Sequence, residues 1–199
     1  MTFPILYNIL NCIRKGRDIM ALVQEKTYTI EDIYALPEGQ RAELIDGRIY
    51  MMAPPNTIHQ KISYSVARRI SDYIDKKNGE CDVFLVPFAV FLNDDEINYV
   101  EPDISIICDK YKLDDRGCNG APDWVIEILS PSTERMDCGM KLFKYRSAGV
   151  REYWTVNPRL KTVSVYDFEY DEKNGQYSFD DEISACIYED LVIRISDLL

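Results

Sequence analysis

The clearest pattern in the chain is a stripe of apolar residues at every fourth position. Ile58, Ile62, Val66, Ile70 and Ile74 fall on one helical face, with charged residues around the rest of the turn. Asn56 can cap the start and Asn78-Gly79 ends the run, so the spacing predicts a helix over 57–77. Before it, Thr29 with Asp32 marks a short capped helix that Leu36-Pro37-Glu38-Gly39 closes. Asp46-Gly47 lies between Leu44-Ile45 and Ile49-Tyr50, a strong hairpin signal. Strand-like runs follow over 81–86, 88–92, 103–108 and 124–129, with a loop over 109–121. A second helix is expected over 134–147, capped by Ser132 or Thr133 and closed by Gly149. Strands over 152–156, 163–168, 177–179 and 183–187 complete the series, with Asn174-Gly175 as a turn. Helices interleaved with strands predict a mixed central β-sheet flanked by helices, an α/β (α+β) domain.

A length of 199 residues suits one domain, placed here over 27–199. Residues 1–26 read as an N-terminal extension. Its apolar stretch 3–13 is too short to span a bilayer, and Arg14, Lys15 and Arg17 follow it, the reverse of a secretory signal. Arg14-Lys15-Gly16-Arg17 can be written in purine-rich codons resembling a ribosome-binding site, so translation is expected to start at Met20. An amphipathic arm is the alternative. The six cysteines are widely spaced and contain no C-x-x-C pair, which predicts free thiols and a cytoplasmic protein with no membrane association.

A single histidine, His59, excludes a multi-histidine metal centre. The net charge is -11, and residues 161–199 carry -7 of it, with ten acids against three bases. Such a chain is unsuited to strong non-specific binding of nucleic acid over its whole surface. The remainder is nearly balanced and leaves room for a local basic face.

Two acids stand at or inside strongly apolar strands. Asp103 enters the run Ile104–Ile107, and Glu127 lies within Val125–Leu129. A buried carboxylate is costly unless it is paired or holds a cation. Two on neighbouring strands would repel, and a hard divalent ion relieves that. The plain alternative is an acid at a strand edge or beside an arginine. Asp137, Lys141 and Tyr145 share one face of the following helix, with Lys144 at its margin.

Several stretches resemble the Uma-two family of restriction-endonuclease-like proteins, within the PD-(D/E)XK nuclease superfamily. They are residues 28–49 (YTIEDIYALPEGQRAELIDGRI), 52–59 (MAPPNTIH), 101–108 (EPDISIIC), 114–137 (DDRGCNGAPDWVIEILSPSTERMD) and 141–158 (KLFKYRSAGVREYWTVNP). The resemblance implies a restriction endonuclease-like fold and a Mg²⁺-dependent endonuclease acting on DNA, with Mn²⁺ able to substitute. It implies Asp103 and Glu127, with the Ile128 carbonyl, as metal ligands, and Glu43 as a further acid of the cage. The superfamily's strand lysine is missing, because Glu127-Ile128-Leu129 stands where E-x-K is expected. Lys141 is preferred over Lys144 as its replacement. Asn157 stands where the family usually has Asp before Pro.

His59 at the helix start, Arg68 and Arg69 on the polar face of the long helix, and Lys144 and Tyr145 are candidate substrate contacts. Lys61, Lys76 and Lys77 share that polar face. Trp124 and Trp154 read as core. A duplex substrate suggests a homodimer with two sites. The rival readings are a catalytically silent nucleic-acid or partner-binding protein of the same fold, and a hydrolase of a smaller phosphate ester.

Overall fold

The structure, a computed structural model, describes residues 26–199 except 94 and 132. The expected start at Met20 and the Ser132 cap lie outside the described residues. The strands in chain order are β1 (Ala42–Ile45), β2 (Arg48–Met51), β3 (Asp82–Leu85), β4 (Val90–Phe91), β5 (Ile104–Ile107), β6 (Leu113–Asp114) and β7 (Gly117–Asn119). They continue with β8 (Trp124–Ile128), β9 (Glu152–Asn157), β10 (Thr162–Asp167), β11 (Gly175–Ser178), β12 (Ile183–Ser184) and β13 (Val192–Ile193). Six form one mixed sheet in the order β11-β10-β9-β8-β5-β3. Only the β8–β9 pair in it is parallel. A parallel pair needs a long crossover, and residues 129–151 supply it. They contain a π-helical turn, Met136–Lys141, running directly into an α-helix, Leu142–Ala148. The expected regular helix over 134–147 is thus split in two, and π segments are common where function needs unusual side-chain placement.

The long helix spans Thr57–Lys76, with the Asn56 side chain accepting from His59 N at 3.0 Å. Ile62, Val66, Ile70 and Ile74 pack on Ile104, Ile106, Trp124, Ile126 and Trp154 of the sheet. Ile58, the first residue of the stripe, is exposed instead. Strand alternation sends Val125 and Glu127 to the other face, where Tyr145 and Tyr153 pack. Trp124 and Trp154 are fully buried and meet edge to face at 5.0 Å, as core residues should.

The hairpin β1–β2 turns at Asp46 (φ 50°) and Gly47 (φ 71°), the two positive φ values of a type I′ turn. A Cβ on Gly47 would crowd the Thr27 methyl, and the positive φ separately favours glycine there. Leu44 bridges to Tyr99, which ties the hairpin to the segment entering Asp103.

Other local expectations changed. The run 88–92 contributes only the two residues of β4, which pair with β7 in a small separate sheet together with β6. The expected loop 109–121 therefore contains ordered strands. The β10–β11 connection is longer than an Asn-Gly turn, and Asn174 Oδ1 accepts from Asp167 N at 2.7 Å. Cys81 and Cys108 form a disulfide in place of the expected free thiols. They lie 27 residues apart, but the antiparallel β3–β5 register sets them opposite each other. Among the described residues no helix is long and apolar enough to cross a membrane.

Candidate active site

Glu43 on β1, Asp103 entering β5, Glu127 on β8, and Asp137 and Lys141 on the π-helical turn meet around one cavity of about 280 Å³. The β5–β8 register pairs Ile104 with Ile126. That sets Asp103 and Glu127 side by side, with Asp103 N donating to Glu127 Oε2 at 3.2 Å. In return Ile128 N donates to Asp103 Oδ2 at 2.8 Å. The hairpin brings Glu43 in from the side, where its Oε1 accepts from Glu101 N at 3.0 Å.

Lys141 is the hub of the acids. Its Nζ lies 2.8 Å from Glu43, 2.9 Å from Glu127 Oε1 and 3.4 Å from Asp137 Oδ1. Glu43 is 1% exposed, Glu127 3% and Lys141 4%. Burial alone would drive the lysine towards neutrality, but the charges of Glu127, Glu43 and Asp137 outweigh it and hold its pKa well above the ordinary value. Lys141 is therefore a committed ammonium. For Glu127 the balance is reversed. Desolvation raises its pKa well above normal, Lys141 pulls it down, and Asp137, Asp103 and Glu43 push it up again. Glu43 and Asp137 are raised too, each chiefly by burial. One lysine does not balance so many acids.

Among the described residues, no three His, Cys, Asp or Glu side chains are already arranged to enclose an ion. The expected cage of Glu43, Asp103 and Glu127 is thus not closed as it stands, because Lys141 occupies the space between Glu43 and Glu127. What exists is a set of hard oxygen donors, Asp103, Glu127 and the Ile128 carbonyl, in a pocket with excess negative charge. That chemistry fits a divalent ion which retains part of its water shell, as Mg²⁺ does.

The other candidates are scattered. His59 lies at the cavity, its Nε2 3.0 Å from Asp103 Oδ2. Burial is the largest influence and lowers its pKa, but the hydrogen bond to Asp103 and the charges of Asp103 and Asp137 together outweigh it, so the net shift is upward. Tyr145 is not among the residues lining the cavity; it is fully buried and donates to Glu127 Oε1 at 2.8 Å. Lys144 points away and pairs with Asp46 on the hairpin turn. Arg69 donates to Val192 O at 3.1 Å, and Arg68 lies over the Tyr64 ring. Lys61 reaches Leu199 O and Lys77 reaches Asp190. Much of the long helix's basic face is thus engaged by the C-terminal segment or by its own aromatic neighbour.

Two neighbours of the site were not singled out by sequence patterning. Glu101 accepts from Arg41 and, at 2.6 Å, from Tyr99, at the cavity rim. Its place just before Pro102-Asp103 is a faint signal; the arginine, 60 positions away, leaves none.

A family model, Uma2, described as "Putative restriction endonuclease", matches residues 30–190. A Synechocystis protein described as uncharacterized is 27% identical over 130 residues, which is 65% of this chain and 67% of that one. A crystal structure described as a "putative nuclease belonging to DUF820", from Anabaena variabilis, matches with a TM-score of 0.69 at 23% identity. It covers 85% of this chain and 96% of its own. At that identity the match bears on fold alone.

Proposed function

The chain belongs to the Uma2 family, and from that premise we propose that it is a divalent-metal-dependent endonuclease hydrolysing DNA phosphodiester bonds. The observation that carries this reading is the convergence of Glu43, Asp103, Glu127 and Asp137 with Lys141 on one cavity. A core gains nothing from collecting acids, since each buried charge costs several kcal/mol. A site that must hold a cation and a phosphate has reason to.

Asp103, Glu127 and the Ile128 carbonyl would hold the metal, Mg²⁺ with Mn²⁺ as a substitute. Once bound, such an ion offsets charge on the phosphoryl group and makes water a better nucleophile. Lys141, fixed as an ammonium, orients the attacking water and the scissile phosphate and offsets negative charge as it develops. It does not serve as the base in this state. Glu43, with its raised pKa, is the better acceptor for the water proton. Tyr145 holds Glu127 in place from below.

The test is a nicking and linear-DNA cleavage assay with Mg²⁺ and with Mn²⁺, run beside Glu127→Ala. Metal-dependent cleavage lost in the variant is the expected result. A fold-conserving binding protein would cleave with neither metal. One observation favours a smaller phosphate ester as substrate, namely that Lys61, Arg69 and Lys77 are engaged with the C-terminal segment. Turnover of a chromogenic phosphodiester without DNA cleavage would select that reading. For duplex cleavage we further propose a homodimer of 27–199 domains, which light scattering at micromolar concentration checks.

A further inference from the structure

Lys141 does not reach every acid of the cavity. Asp103 sits on the side away from it, and the group facing Asp103 is His59. Nε2 of His59 is 3.0 Å from Asp103 Oδ2, and Ile128 lines the same cavity. His59 is buried, in the first turn of the long helix, where the Asn56 cap fixes its backbone. Its other nitrogen, Nδ1, is buried with no hydrogen-bond partner among the described residues. A histidine serving only to pack a helix start would have no reason to aim a nitrogen at a carboxylate in the cavity.

The acids beside Lys141 are less free. Glu127 Oε1 accepts from Lys141 and Tyr145, and its Oε2 accepts from Asp103 N. Glu43 is shared between Lys141 and Glu101 N. The donors best placed to complete a shell around Asp103 are therefore the Ile128 carbonyl and His59. The 3.0 Å between His59 Nε2 and Asp103 Oδ2 suits a shared ion, because donors on adjacent corners of an octahedron with bonds of about 2.1 Å lie about 3.0 Å apart.

We propose that His59 is a ligand of the divalent cation, giving it a nitrogen donor beside Asp103 and the Ile128 carbonyl, and that the site consequently favours Mn²⁺ over Mg²⁺. The inference rests on the reading of this cavity as a metal site. Imidazole suits transition metals, whereas Mg²⁺ prefers an all-oxygen shell. By sequence pattern alone, His59 is a substrate contact and Mg²⁺ the first choice of metal.

Pulsed electron paramagnetic resonance on the full chain loaded with Mn²⁺ tests this without any turnover. The expected result is ¹⁴N modulation from one directly bound imidazole, present in wild type and absent in His59→Gln. Calorimetric titration should show Mn²⁺ binding more tightly than Mg²⁺. His59→Gln should lower Mn²⁺ affinity by about tenfold to a hundredfold, the range known for disturbed metal shells, and lower Mg²⁺ affinity much less. Bound Mn²⁺ that is lost in Asp103→Asn but shows no nitrogen coupling in wild type overturns the His59 assignment and leaves the metal site standing. Mn²⁺ and Mg²⁺ that bind equally well to wild type and Asp103→Asn overturn both.

Discussion

Glu127 and Glu152 are both buried glutamates on adjacent parallel strands of one sheet, yet they are satisfied in opposite ways. Glu152 is fully buried and accepts three bonds from neutral donors: Trp154 Nε1 at 2.6 Å, Cys186 N at 2.8 Å and Ile187 N at 2.9 Å. It fastens the C-terminal segment to the sheet. Asp167 is a second acid of that kind, taking backbone N–H groups from Glu169, Tyr170, Glu172 and Lys173. Glu127 instead shares one ammonium with Glu43 and Asp137 and has Asp103 alongside. Burial of a carboxylate is thus no mark of a site by itself. Neutral donors around a buried carboxylate mark a structural acid, whereas acids crowded around too little positive charge are the arrangement on which the proposed metal site rests.

The largest effect should come from removing the shared ammonium. Lys141→Met leaves three buried acids without their common partner and should cost about 3–5 kcal/mol, the usual loss when one side of a buried pair is removed. Urea denaturation checks it. Cleavage should vanish while metal affinity, read by calorimetry, stays nearly unchanged, because Asp103 and the Ile128 carbonyl are untouched. A variant as stable as wild type would mean that the acids are already protonated and that the contrast with Glu152 is weaker than drawn.

Glu152→Gln comes next. It turns an acceptor into a donor facing Trp154 Nε1 or a backbone N–H, and an unmet buried group costs about 1–3 kcal/mol. Thermal unfolding should show that loss, with DNA cleavage at 25 °C unaltered. Loss of cleavage with full stability would erase the distinction between the two acids.

Glu127→Gln should reverse that outcome, with cleavage abolished and stability unchanged or about 0.5 kcal/mol higher, since like-charge repulsion is relieved. Its pH dependence is the finer measure. An acid whose folded pKa is raised holds its proton more tightly folded than unfolded, so ionising it costs stability. Above the ordinary glutamate value of 4.5 and up to the raised folded value, wild type should therefore lose stability relative to Glu127→Gln as pH rises. Denaturation midpoints at about pH 5 and about pH 8 show whether the gap has that sign.

The smallest effect is the opposite slope at Asp167. Burial pushes its pKa up, but the four backbone N–H bonds outweigh that and leave it lowered. The stability it contributes is present above the ordinary aspartate value of 3.8 and is lost as pH falls through the lowered folded value. Asp167→Asn should flatten the acid limb of the stability profile, with a modest loss of stability at neutral pH that disappears as the pH falls below the lowered folded value.

Much of the framework was legible along the chain. The fourfold stripe from Ile62 to Ile74 shows a helix, Asp46-Gly47 shows a hairpin, and the apolar runs after Asp103 and around Glu127 show two buried strands. These patterns are local, because each is a backbone period set against one apolar boundary. The family resemblance also marked Glu43, Asp103, Glu127 and Lys141, though patterning alone could not separate Glu127 from Glu152. Only tertiary packing brings Lys141 to Glu43 across 98 positions and turns Lys144 out to Asp46. Only strand register sets Cys81 against Cys108. Only the docking of the C-terminal segment engages the bases of the long helix that the helical pattern alone leaves open to DNA. Each of these depends on which distant segment lies alongside, and on how far it has slid, which a residue's neighbours in sequence do not record.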